Sequence, residues 1–249
     1  MVRGLYTAAT GMTVQQNKMD VLTNNLVNAE TTGYKKDTLV NATFQEVMLK
    51  RIHDPNLNVY GGADVGGYSY GTHVDELFTD FSEGNLEQTN KSTDLALTRN
   101  GFFAVETPQG ERYTRSGNFS VDGDGYLVTE DGNYVLGDQG RIQVGSSDFS
   151  VTTDGTVSNG DKLRLVTFQD LGTLRKQGNN LYYSYGNETA VPAQNVQVRQ
   201  GMQEGSNVSL EDEMVDMVSV YRKYEASQKI VSMTDQTMGL AVNLGKLGE

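Results

Sequence analysis

The sequence predicts an α+β chain, mostly β, with a discontinuous coiled-coil domain of long N- and C-terminal helices flanking a Gly-rich β-domain. Three observations predict it. Apolar heptad seams lie at both extreme ends, and Gly and Pro are absent from Met12 to Thr32 and from Ser206 to Met238. Of the 28 glycines, 22 lie between residues 61 and 205, so the shift in composition itself marks the boundaries. The organisation that follows is a terminal helical domain at 1–33 and 204–249, an irregular connecting segment at 34–71 and a β-domain at 72–203.

At the N-terminus, Leu5, Ala8, Met12, Gln15, Met19, Leu22 and Leu26 fall alternately three and four residues apart. That spacing draws a narrow seam on one helix face, suited to lengthwise packing on another helix. A helix over 4–29 is about 39 Å long at 1.5 Å per residue, and Gly33 stands where a C-cap falls. Its polar positions carry amides, among them Asn24, Asn25 and Asn28, where a helix in water would carry Glu and Lys. Amides suit a face buried against neighbours, because they exchange hydrogen bonds without desolvating a charge. The bland alternative is a polar face in water.

Between 34 and 71, Phe44, Val47, Met48 and Ile52 allow a short amphipathic helix that Pro55, Asn56 and Asn58 break. The run from Gly61 to Gly71 reads as loose. From residue 72 to 203, short apolar runs such as Phe102–Val105 and Tyr134–Leu136 alternate with Asn-Gly and Asp-Gly pairs. Such pairs supply the positive φ of tight hairpins. The C-terminal helix starts at Ser209 with Asp212 three residues on, and Glu211–Glu213 place negative charge on its N-terminal dipole. Its seam is Leu210, Met214, Met217, Tyr221, Tyr224, Gln228, Val231, Asp235, Met238 and Val242, running to about Leu244 with Gly245 or Gly248 as its end. Helices this long seldom stand alone, so partner helices are implied.

The composition narrows the function. A net charge of -12 argues against a nucleic-acid surface. The absence of cysteine removes disulfides, zinc-thiolate sites and thiol nucleophiles. No apolar stretch reaches the roughly 18 residues of a membrane span, and the first residues lack the apolar run of a secretory signal peptide. Neither His53, beside Asp54 and Pro55, nor His73 sits in a catalytic motif. Ser120–Gly125 with Asp131 has EF-hand spacing but lacks the closing Glu and its flanking helices, so a hairpin turn accounts for it better. The expectation is no enzyme, no cofactor, no metal and no small-molecule substrate.

The residues at both ends are similar to one family. Gly4–Met12, then Asn24-Asn25-Leu26-Val27-Asn28 leading to Thr31-Thr32-Gly33-Tyr34-Lys35, resembles the signature of the flagellar hook–basal-body family, with Val27 in place of its usual small residue. Glu204-Gly205-Ser206-Asn207-Val208, Glu213–Met217 and Tyr221–Glu225 match its C-terminal pattern, and Asn243–Lys246 its close. In the middle, Asn100–Phe103 and Tyr113–Phe119 look like the family's central strands. By length the chain resembles the rod subunits, of the distal type or its F-type proximal neighbour.

The resemblance implies a homo-oligomeric helical polymer in the flagellar basal body, adjoining other rod and hook subunits and exported by the flagellar type III apparatus. Terminal helices would pack as coiled coils around an export channel, with the β-domain outside. The assembly interface would then be Leu5, Met12, Met19, Leu22, Asn24, Asn25, Leu26 and Asn28 with Met214, Met217, Tyr221, Tyr224, Val231 and Met238. The Asn24–Leu26 stretch would set lateral register between protomers. An alternative class is a secreted carbohydrate-binding or adhesive β-protein with helical oligomerisation arms and a cleft near Tyr182, Tyr183 and Tyr185.

Overall fold

The computed structural model describes residues 2–51, 63–186, 189–193 and 196–246. The expected turn at His53–Pro55, and Ile52, Asn56 and Asn58 with it, lie outside these residues, as does Gly248. The chain forms two compact units: residues 1–24, 37–78 and 211–249 make the first, and 25–36 with 79–210 make the second.

The first unit contains most of helix α1 (Val2–Val27), strands β1 (Asp37–Thr43), β2 (Val47–Arg51), β3 (Ala63–Tyr68) and β4 (Thr72–Thr79), and helix α2 (Leu210–Lys246). β1 pairs with β4, and β2 with β3 in an antiparallel hairpin. The segment expected to be irregular is thus two ribbons. Backbone pairing does not depend on side chains, so the glycines of β3 do not prevent it. A register shift between Leu49 and Lys50 skips Val65, beside Gly66, whose φ is 146°. The short helix considered over Phe44–Ile52 does not form; Phe44 instead stacks on His73 at 4.9 Å. α1 leans on the connection between β3 and β4, where Thr7 Oγ1 donates to Tyr70 O at 3.1 Å and the Arg3 guanidinium lies 5.9 Å from the Tyr70 ring.

The second unit holds β5 (Leu86–Gln88), β6 (Leu95–Leu97), β7 (Phe102–Thr107), β8 (Gly110–Thr114), β9 (Phe119–Val121), β10 (Leu127–Thr129), β11 (Tyr134–Gly137) and β12 (Gly140–Arg141). It continues with β13 (Leu165–Thr167), β14 (Leu174–Gly178), β15 (Leu181–Ser184), β16 (Val191–Pro192), β17 (Val198–Gln200) and β18 (Met202–Glu204). A main sheet runs β14-β15-β8-β7-β11-β10-β9, with β13 also on β7. β6 pairs with β17 and β5 with β18, both antiparallel. The Ser120–Gly125 stretch is a hairpin turn between β9 and β10, closed by Gly125 N donating to Asp122 O at 2.9 Å.

Both faces of β7 are buried, as the apolar run Phe102–Val105 requires. Phe103 and Val105 enter the larger core with Leu95, Leu97, Phe119, Val135, Ile142 and Leu163. Phe102 points the other way, into an aromatic cluster with Phe168, Leu174 and Tyr182. Edge-to-face contacts fill that cluster, Phe102 to Tyr182 at 5.8 Å and Phe102 to Phe168 at 5.9 Å.

Candidate assembly interface and its anchor

α2 is 37 residues long, about 55 Å at 1.5 Å per residue, and its acidic first turn is Glu211, Asp212 and Glu213. Buried or half-buried residues on it recur as Glu213, Met217, Val220, Tyr224, Ser227, Val231, Thr234 and Met238. This row shares Met217, Tyr224, Val231 and Met238 with the expected seam, while the alternate positions move by one residue. Met214 and Tyr221, expected in the seam, are more than half exposed. The row that is covered carries smaller side chains in place of Gln228 and Asp235. At Gly11 of α1 a β-carbon would lie 3.9 Å from Ser227 Oγ, so small residues meet where the two helices approach. The helix also runs through Gly245, which therefore does not end it.

A second apolar face remains uncovered. Met214, Val215, Val218 and Tyr221 are all at least half exposed, and Ile230, Met233, Leu240 and Val242 continue the exposure along the helix. Sequence reasoning missed Val215 and Val218; their offset from Met214 by one and four residues was the available signal.

On α1, Leu5, Met12, Met19, Leu22 and Leu26 are half-buried, as is Asn28 just past its end, while Asn24 is exposed and Asn25 is buried. Asn25 is turned into its own chain, where its Oδ1 accepts from Tyr34 Oη at 3.0 Å. Asn28 Oδ1 accepts from Thr31 Oγ1 at 3.3 Å. Gly33 does not cap α1, which ends six residues earlier.

Gly33 instead lets Thr31–Lys35 press onto the β-unit. Its φ is 68°, and a β-carbon there would lie 2.5 Å from Ser116 N. Its own N donates to Glu204 O at 2.7 Å. The following Lys35 is fully buried, and its Nζ lies 2.7 Å from Glu204 Oε1 and 2.6 Å from Ser82 O. Arg115 Nε donates to the other carboxylate oxygen, Glu204 Oε2. The same guanidinium also donates to Gly101 O at 2.5 Å and Leu97 O at 3.1 Å. One buried carboxylate thus serves two buried cations, and backbone carbonyls accept further hydrogen bonds from both.

Burial holds the Lys35 ammonium below its ordinary 10.5, against the opposing pull of Glu204. A lowered folded-state value means that the unfolded chain keeps its proton longer as pH rises. Stability contributed by this group is therefore flat below the folded value and increases with pH in the window under 10.5. Chemical unfolding at stepped alkaline pH is expected to show this rise in the native chain, and Lys35→Met is expected to remove it.

Three family models match the chain: flagella basal body rod protein over residues 5–35, flagellar hook protein FlgE/F/G D1 domain over 96–159, and flagellar basal body rod FlgEFG protein C-terminal over 199–244. The chain is 32% identical to the flagellar basal-body rod protein FlgG of Bacillus subtilis (strain 168), over 98% of this chain and 99% of that protein. It belongs to the flagellar basal-body rod protein family. It is also 33% identical to the rod protein FlgF of Caulobacter vibrioides, over 99% of this chain and all of that protein. The flagellar hook-basal body complex protein FlhO of Bacillus subtilis is 32% identical over 99% of this chain.

Basal-body rod proteins are structural components, and the basal body is their location. Lys35, Arg115 and Glu204 come one from each matched stretch, so the buried ion cluster joins the three parts by which the rod family is recognised. The carbohydrate-binding alternative fails at its expected cleft. Tyr182 is fully buried in the aromatic cluster, and only Tyr185 is largely exposed.

Proposed function

We propose that this rod protein is a non-enzymatic subunit that polymerises with further copies into a helical tube, adjoins other rod and hook subunits, and transmits torque around an export channel. The observation that carries the reading is the two-faced α2. Its row through Met217, Val220, Tyr224 and Ser227 is covered within the single chain, whereas Met214, Val215, Val218 and Tyr221 stay in water. Contiguous exposed apolar surface on a long helix marks an interaction face. A heterologous contact through it, repeated from copy to copy, produces an open polymer without fixed stoichiometry. Packing of the terminal helices as coiled coils, and export through the flagellar type III apparatus, belong to this reading.

The two faces make a discriminating test. Met214→Asp with Val218→Asp puts charge on the exposed row and is expected to leave chain stability within about 0.5 kcal/mol, as for ordinary surface changes. The same pair is expected to abolish rods in cells. Met217→Asp with Tyr224→Asp strikes the covered row and is expected to cost several kcal/mol in the isolated chain. Electron microscopy of cells lacking the gene, complemented by each variant and scored for rods and hooks, reads the outcome. Normal rods from Met214→Asp/Val218→Asp would refute the exposed-face reading.

A further inference from the structure

The chain passes between its two compact units four times, after residues 24, 36, 78 and 210. Within the second unit, residues beside all four passages are tied into one network. Next to the first, Asn25 accepts from Tyr34, whose ring lies 4.2 Å from Lys176 Nζ. That ammonium donates to Lys35 O at 2.6 Å. Next to the second, Lys36 N donates to Asn207 Oδ1 at 2.7 Å, and Lys36 O accepts from Asp80 N at 2.8 Å. Beside the third, Asp80 O and Ser82 Oγ accept from Asn207 Nδ2 at 2.9 and 3.1 Å. Before the fourth, Glu204 holds Lys35 and accepts from Gly84 N at 3.0 Å.

Asn207 is the joint of this network. Its Oδ1 accepts from one segment while its Nδ2 donates to another, which an ionised carboxylate, an acceptor alone, cannot do. We propose that Asn207, with Lys35 and Glu204, is a positioning residue that binds the second unit's segments beside the four passages into one cooperative frame that opens and closes as a whole. This inference goes beyond the rod reading and does not depend on it.

Hydrogen exchange by mass spectrometry on the full chain tests it. The amides of Gly33, Lys36, Asp80 and Gly205, each paired within the unit, are expected to exchange slowly and as a group. Asn207→Ala is expected to accelerate all four together by about tenfold or more, while the β7 amides of Phe103 to Val105 keep their native rates. Acceleration of Lys36 alone, the amide that loses its acceptor, would show independent bonds and overturn the proposal. Should Asn207→Ala also release β7, Ser82→Ala removes a single acceptor and is read the same way, with collective acceleration expected and an unchanged set of four contradicting the frame.

Discussion

Glu204→Ala is expected to destabilise the chain by about 3–5 kcal/mol, the range for removing one partner of a buried ion pair. The reason is the asymmetry of the site. Lys35 and Arg115 are both buried, and Glu204 is the carboxylate that both of them reach. Its loss leaves two cations facing each other in a low-dielectric interior, together with Gly84 N deprived of its acceptor. Urea unfolding of the full chain measures the effect as a fall in midpoint, with a slope that stays constant if the denatured state is unchanged. Adding Lys35→Met to Glu204→Ala is expected to recover part of the loss, because one uncompensated charge is removed. A loss in the double variant equal to the sum of the losses from Glu204→Ala and Lys35→Met measured singly would show that the charges do not interact.

Gly33→Ala is the second large effect. A left-handed backbone conformation costs an L-residue roughly 1–2 kcal/mol. Here the new methyl would also meet the Ser116 N, Ser116 Cα and Arg115 C backbone atoms at 2.5–2.7 Å, none of which can turn aside as a side chain does. Overpacking of this kind adds about 1–3 kcal/mol. Displacement of Thr32 and Lys35 would follow, since Thr32 Oγ1 lies 3.2 Å from Ser116 Oγ and Asn180 Nδ2 donates to Thr32 O at 3.0 Å. Thermal unfolding is expected to show a fall of several degrees. As a control, Gly132→Ala occupies open space, with only the cost of its φ of 80°. Equal effects at Gly33 and Gly132 would remove the close-approach argument.

The helices were legible because their signal is local. Long Gly-free and Pro-free stretches with three-four spacing specify helical structure at both ends, and α1 and α2 lie within a few residues of the expected bounds. Hairpins were legible from Asp-Gly pairs for the same reason. The ribbons at β1–β4 were not, since two-stranded pairing of a Gly-rich segment leaves little hydrophobic period to read. The covered row of α2 was legible only by half. Apolar residues sit on more than one face of that helix, and periodicity ranks faces without saying which one its own chain will cover.

By itself the sequence determined the α+β class, the place and length of the terminal helices, and the kinship with rod proteins. All of these are written in short stretches of neighbouring residues. Tertiary structure decided that Lys35, Arg115 and Glu204 form one buried ion cluster, although each stood in a recognisable motif. It also decided that Asn25 and Asn207 work inside the chain, and that Met214 and Tyr221 face water while Met217 and Tyr224 do not. The reason is distance along the chain. Lys35 and Glu204 are 169 positions apart, and only the packing of strands between them determines that a charge at one is answered at the other.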